Sequence, residues 1–136
     1  AADSLHGAVP DARHRAAREP WPPQVPCHWD YTARNWLADL TGGHLTAYVI
    51  DYGSARPNPW LRDVTRLYFE TWAGRPDLRA AFFHGYGRPF DARDEYLVRV
   101  TGALEALINV VWAREHGDAP FEARGRELLE RLVREV

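Results

Sequence analysis

Asp30, Asn35 and Asp51 are polar side chains set against largely apolar neighbours. Asp30 and Asn35 fall in Cys27-His28-Trp29-Asp30-Tyr31-Thr32-Ala33-Arg34-Asn35, and Asp51 follows the apolar run Tyr48-Val49-Ile50. Each offers a hard oxygen ligand or a proton acceptor, which together equip a site to hold Mg2+ and to position a hydroxyl nucleophile beside a phosphate. Alone, Asp30 and Asn35 read as turn-capping residues of a loop; Asp51 tips the reading to chemistry. Cys27 beside His28 suggests a thiol nucleophile, but adjacent residues of an extended segment point to opposite faces, so Cys27 is expected to be buried and inert. His28 and His44 lack the companions a zinc site needs. Arg34 and Arg56 flank the motifs within reach of phosphate, although exposed arginines are usually solvated surface.

The elements that position these residues can be read from pattern. Thr41-Gly42-Gly43 separates two apolar, partly β-branched runs, Asn35–Leu40 and His44–Ile50, and predicts an antiparallel hairpin. Such a hairpin brings Asn35, at the start of its first strand, next to Asp51, just past the end of its second. Upstream, Leu5, Val9, Ala12 and Ala16 have roughly helical spacing, and the prolines from Glu19 to Pro23 predict an extended connector. Downstream, Pro57-Asn58-Pro59 leads into a helix whose expected buried stripe is Trp60, Leu61, Val64, Leu67, Tyr68 and Trp72. Gly74-Arg75-Pro76 ends it, and a second helix runs from Asp77 to Phe83. A long helix is predicted over 92–115, with Tyr96, Leu97, Val100, Leu104, Leu107, Ile108, Val111 and Trp112 facing inward. A last helix after Gly117 carries Phe121, Leu128, Leu129, Leu132 and Val136. The fold class is α+β, mainly α, in three stretches: helix and connector over 1–24, catalytic loop and hairpin over 25–54, and a helical subdomain over 55–136.

The 136 residues carry a net charge of −2, which gives no reason to expect a nucleic-acid partner. One cysteine excludes an intrachain disulfide and suits a reducing, cytoplasmic setting. No apolar run is expected to reach the length of a membrane span. The chain has neither methionine nor lysine. The missing start residue predicts a piece of a longer protein.

The pattern His28-x-Asp30-x-x-x-x-Asn35, followed by Val49-Ile50-Asp51-Tyr52-Gly53, resembles the catalytic loop and metal-binding motif of the protein-kinase-like superfamily. Within it, the chain is most similar to the aminoglycoside phosphotransferase family, with its His-Gly-Asp-x-x-x-x-Asn loop and Ile-Asp-Phe/Tyr-Gly strand end. The resemblance covers most of the chain. It implies the helical C-terminal lobe of the kinase-like fold, with the short hairpin carrying the metal motif. It implies an ATP-dependent transferase of a γ-phosphoryl group to a small-molecule hydroxyl, an aminoglycoside being one such acceptor. Asp30 would be the catalytic base, and Asn35 and Asp51 would hold Mg2+ against ATP or another nucleoside triphosphate. His28 would brace the loop, and Asp63 would accept its backbone donors; otherwise Asp63 reads as a first-turn acid favoured by the helix dipole. Asp91, Asp94, Glu95, Glu105 and Glu115 are candidate acceptor-site acids, although acids on amphipathic helices usually face solvent.

Trp29 departs from the pattern by standing where the family has glycine. The phosphate-clamping glycine-rich loop and its lysine have no counterpart, so the N-terminal nucleotide-binding lobe is expected to be missing and the fragment inactive alone. A lone lobe would also be prone to self-association through its exposed docking surface. Two other readings stand beside this one: a kinase of choline, homoserine or a sugar-like metabolite, and a non-catalytic binding or assembly module.

Overall fold

In the computed structural model, the described residues are Arg18 and residues 20–134. The helix expected around Leu5, Val9, Ala12 and Ala16 lies outside them, as does Val136. The remainder is mainly helical with two small antiparallel sheets, an α+β arrangement. It forms two compact units, Trp21–Phe82 and Phe83–Val136, the second also including Ala1–Pro20.

The first unit opens with β1 (Gln24–Cys27), followed by a single 3₁₀ turn at Ala33–Asn35 and the hairpin β2 (Trp36–Thr41) and β3 (His44–Val49). Gly42 and Gly43 both have positive φ, 65° and 79°, as a two-residue type I′ turn requires. They fix the register Thr41↔His44 through Trp36↔Val49. Pairing one residue further, the Ile50 amide donates to the Asn35 carbonyl at 3.0 Å, so the hairpin base closes where expected. One face of the ribbon carries Trp36, Ala38, Leu40, Leu45, Ala47 and Val49, and Leu40 and Leu45 are 75% and 68% exposed.

After a 3₁₀ turn at Tyr52–Ser54 comes β4 (Arg56–Pro59), where the sequence suggested only the lead into a helix. It pairs antiparallel with β1, Gln24↔Pro59 through Cys27↔Arg56. The three prolines, at 26, 57 and 59, all fall on alternate rungs, while the rungs Val25↔Asn58 and Cys27↔Arg56 keep their N–H donors. A strand can hold proline only at such non-donating positions.

Helix α1 (Leu61–Arg66) continues into a π turn, Leu67–Thr71, closed by the Trp72 amide on the Leu67 carbonyl at 2.7 Å. Leu61, Val64, Leu67 and Trp72 are buried as the stripe predicts. The extra residue of the π turn also buries Phe69, outside that stripe. Helix α2 (Pro76–Tyr86) starts on a proline, which at the first helical position lacks only a donor the helix leaves free anyway.

In the second unit, Asp91 caps α3 (Ala92–His116) through a capping box with Asp94. Gly117, at φ 69°, ends the helix as the Asp118 amide reaches back to Ala113. Helix α4 (Ala119–Arg134) packs on α3 at Gly125, where a Cβ would stand 2.7 Å from Val110 Cγ2 and 3.1 Å from the Ala106 carbonyl. This contact corrects the expected stripe of α3. Leu97 is buried, but Leu104, Leu107, Ile108, Val111 and Trp112 are exposed, while Val98, Gly102, Glu105, Ala106 and Ala113 are buried. A second correction concerns membrane-span length. Helix α3 has 25 residues and an 18-residue stretch of mean hydropathy 1.3, so by length and composition alone it could cross a membrane. Core helices of soluble proteins meet the same criterion, and a third of that stretch is buried within the protein.

Candidate active site

All five residues singled out for the site, His28, Asp30, Asn35, Asp51 and Asp63, belong to the first unit. The loop after β1 is clamped by Asp63, in the first turn of α1. Its Oδ2 accepts from the His28 amide at 2.8 Å and its Oδ1 from the Trp29 amide at 2.9 Å. Hydrogen bonds to a charged acceptor are the stronger kind. They hold Trp29 in the left-handed region, φ 71°, a conformation natural to glycine and costly for an indole-bearing residue. The displaced ring lies under guanidinium groups, the Cζ atoms of Arg56 and Arg62 standing 3.4 and 4.5 Å from its centroid. Arg56 is thus a stacking partner, more than the solvated surface group its sequence context suggested.

His28 is buried. Its Nε2 donates to the Ile50 carbonyl at 2.7 Å, and its Nδ1 accepts from the Asp30 amide at 3.3 Å. Those partners assign the Nε2–H tautomer and leave no ring nitrogen for chemistry. The imidazole ties the loop to the last residue of the apolar run before Asp51, with Tyr52 packed 4.6 Å from it, centroid to centroid.

Asp30 stands just past this clamp with both carboxylate oxygens engaged. Oδ1 accepts from Arg66 Nη1 at 2.6 Å and from Arg34 Nη2 at 3.1 Å. Oδ2 accepts from Asn35 Nδ2 at 3.1 Å and from the same Arg34 nitrogen at 3.3 Å. Burial pushes the carboxyl pKa up, but the hydrogen bonds of Arg34 and Asn35 and the charge of Arg66 outweigh it and hold the group below its ordinary value. Asp30 is therefore ionised across the neutral range.

Asn35 is buried and spends its amide nitrogen on Asp30, donating to the carbonyl at 2.8 Å and to Oδ2. Its amide oxygen remains available as a ligand. Asp51 is exposed, sits at φ 66° and ψ 57°, and its carboxylate has no hydrogen-bond or ion-pair partner among the described residues. An aspartate in the left-handed region with an uncommitted carboxylate is a strained residue of the kind that clusters at functional sites. Among the described residues no group of three or more His, Cys, Asp or Glu side chains could hold a metal alone. One carboxylate and one amide oxygen do fit Mg2+, which keeps several waters and takes its remaining ligands from phosphates.

Cys27 is buried, its thiol donating to the Asn58 carbonyl at 3.2 Å. Burial, with the nearby Asp63 charge, pushes its pKa up to about 11, so it is no nucleophile. Three of the five candidate acceptor-site acids are occupied locally, while Glu105 is buried and Glu115 is exposed. Asp91 and Asp94 cap α3, Asp94 also pairs with Arg88 at 2.9 Å, and Glu95 pairs with Arg99. None of these acids belongs to the unit carrying Asp30. Arg66 went unnoticed in the sequence; its one signal is its position three residues after Asp63, on the same face of α1.

A model of the phosphotransferase enzyme family (APH) matches residues 3–97, more than two thirds of the chain, and the protein belongs to that family. This bears out the resemblance drawn from the loop and strand-end motifs. No curated protein and no solved structure matches the chain.

Proposed function

We propose that the protein is the helical, C-terminal lobe of a kinase-like enzyme that transfers the γ-phosphoryl group of ATP, or another nucleoside triphosphate, to a hydroxyl of a small molecule such as an aminoglycoside. Family membership supports phosphotransfer in general. The observation carrying the finer reading is the linked trio: Asp30 bonded to Asn35, Asn35 bonded through its carbonyl to Ile50, and the unpaired Asp51 next in the chain. Asp30 orients the acceptor hydroxyl and takes up its proton. Asn35 and Asp51 would hold Mg2+, which when bound offsets charge on the nucleotide phosphates. His28 and Asp63 keep the loop in shape. Catalysis of this kind depends on positioning and charge neutralisation, so an ionised Asp30 with an ordinary or lowered pKa suffices. A non-catalytic platform would have no physical use for a strained, uncommitted Asp51.

The test is phosphoryl transfer from γ-labelled ATP with Mg2+ to a panel of hydroxyl acceptors, using the full-length gene product. Asp30→Ala and Asp51→Ala should each abolish transfer. Full activity in either variant, or no transfer to any acceptor, would sink the reading.

A further inference from the structure

Asp30 has more partners than its proposed task allows. A carboxylate offers about four lone-pair sites, and Arg66, Asn35 and the two contacts of Arg34 occupy four. As the loop stands, no lone pair is left to accept a hydrogen bond from an incoming hydroxyl. One partner has to leave before Asp30 can orient a substrate.

The three partners are not equally held. Asn35 is buried and anchored a second time on the Asp30 carbonyl. Arg66 makes the shortest contact and its side chain is 26% exposed. Arg34 makes the longest contacts, its side chain is 69% exposed, and its pairing with Asp30 is an i,i+4 ion pair of the weak surface type. Arg34 is the group that can leave at little cost. With Arg66 remaining, the Asp30 charge stays compensated, so the departing guanidinium carries an uncompensated positive charge beside the reacting centre. Arg34 is also the immediate chain neighbour of Asn35, one of the two oxygen ligands proposed for the metal that holds the nucleotide phosphates. Arg34 and Asn35 both bond to the Asp30 carboxylate, so a phosphoryl group presented to that carboxylate is an anion the freed guanidinium can engage, and the planar fork of a guanidinium matches phosphate oxygens.

We propose that Arg34 is a further catalytic residue, a guanidinium that releases Asp30 to the acceptor hydroxyl and moves onto the transferring phosphoryl group. In the step it serves, the acceptor oxygen forms a bond to the γ-phosphorus. The bond from that phosphorus to the bridging oxygen breaks, and its electron pair leaves with the nucleoside diphosphate. The hydroxyl proton passes to the Asp30 oxygen that Arg34 vacated, and from there to water. Arg34 balances charge on the phosphoryl oxygens throughout. The proposal rests on the phosphotransferase reading above.

Two measurements on the full-length protein test it. In the transfer assay, Arg34→Ala should lower kcat about 10²–10³-fold, the range for one group that stabilises transition-state charge. KM for the acceptor should move much less, Arg34→Lys should be intermediate, and free guanidinium at a non-denaturing concentration should restore part of the Ala variant's rate. A purely structural role would give no such rescue. In calorimetric titration with inorganic tripolyphosphate and Mg2+, Arg34→Ala should weaken binding about tenfold, the loss of one charge-assisted contact. Wild-type kcat in Arg34→Ala, a loss that guanidinium leaves untouched, or unchanged tripolyphosphate binding would each overturn the proposal, as would failure of the wild type to bind tripolyphosphate. Failure of the phosphotransferase reading looks different: Asp30→Ala would then transfer phosphate as well as the wild type.

Discussion

Replacing Asp63 isolates the clamp on the loop, because its two carboxylate oxygens hold two consecutive backbone amides. Hydrogen bonds to charged acceptors contribute about 1.5–3 kcal/mol each. Asp63 is only half-buried, which favours the lower end. Asp63→Ala should therefore cost about 3 kcal/mol from the two bonds together. The left-handed Trp29 works in the opposite direction: it is strained by about 1–3 kcal/mol, and its relaxation once its amide is released offsets part of that cost, so the net loss is smaller. Asp63→Asn, which keeps one acceptor oxygen, should lose roughly half as much. Urea unfolding followed by circular dichroism gives the global figure. Amide exchange by NMR gives the local one: in Asp63→Ala, the His28 and Trp29 amides should exchange about 10- to 100-fold faster than in the wild type, even after correction for any global change. A loss below about 0.5 kcal/mol, the ordinary scatter of surface substitutions, with unchanged exchange at both amides, would refute the clamp.

Asp51→Gly should stabilise the fold by several tenths of a kcal/mol up to about 1 while abolishing phosphoryl transfer, because glycine adopts the left-handed conformation freely but supplies no ligand. A thermal melt and a transfer assay on the same preparation check both halves. Gly125→Ala should destabilise by about 1–3 kcal/mol, since its Cβ would press on Val110 and the Ala106 carbonyl; a melting temperature equal to the wild type's would contradict this packing. Asp30 has a lowered carboxyl pKa, so its ion pairs contribute stability above the unfolded value of about 3.9 and lose it as pH falls further. Arg66→Gln should accordingly cost about 1–2 kcal/mol at pH 7 and less at pH 3, as read from urea curves at the two pH values. An equal cost at both would show that Arg66 acts through packing alone.

Legibility tracked how local the determining physics is. The hairpin could be read directly, since Gly-Gly between alternating runs dictates both turn and register, and the register delivered Asn35 beside the strand end at Ile50. The β1–β4 ladder could not, because Pro57 and Pro59 read only as the lead into a helix until pairing with β1 reveals that they and Pro26 share non-donating rungs. On α3, the helical spacing of the large apolar residues marked a stripe that is buried at Leu97 but exposed from Leu104 onwards. The buried face is set by Gly102, Ala106 and Ala113, small enough for a close crossing, and α4 answers with Gly125. The pairing of Arg34 with Asp30 was not legible either, because an i,i+4 spacing signals contact on a helix and this segment is a loop with one 3₁₀ turn. Arg66 reaches Asp30 across thirty-six residues of sequence, a separation no local pattern encodes.

The Gly42-Gly43 turn gives the hairpin a practical use. Its tip is exposed and six rungs from the base that joins Asn35 to Ile50, about 20 Å at strand rise. Exposed loop tips tolerate change well. A fluorophore attached through His44→Cys, beside the turn so that Gly42-Gly43 stays intact, would ride on the same registered ribbon as the proposed metal ligands. It would report ordering of the base on nucleotide binding from a distance that spares every residue of the site.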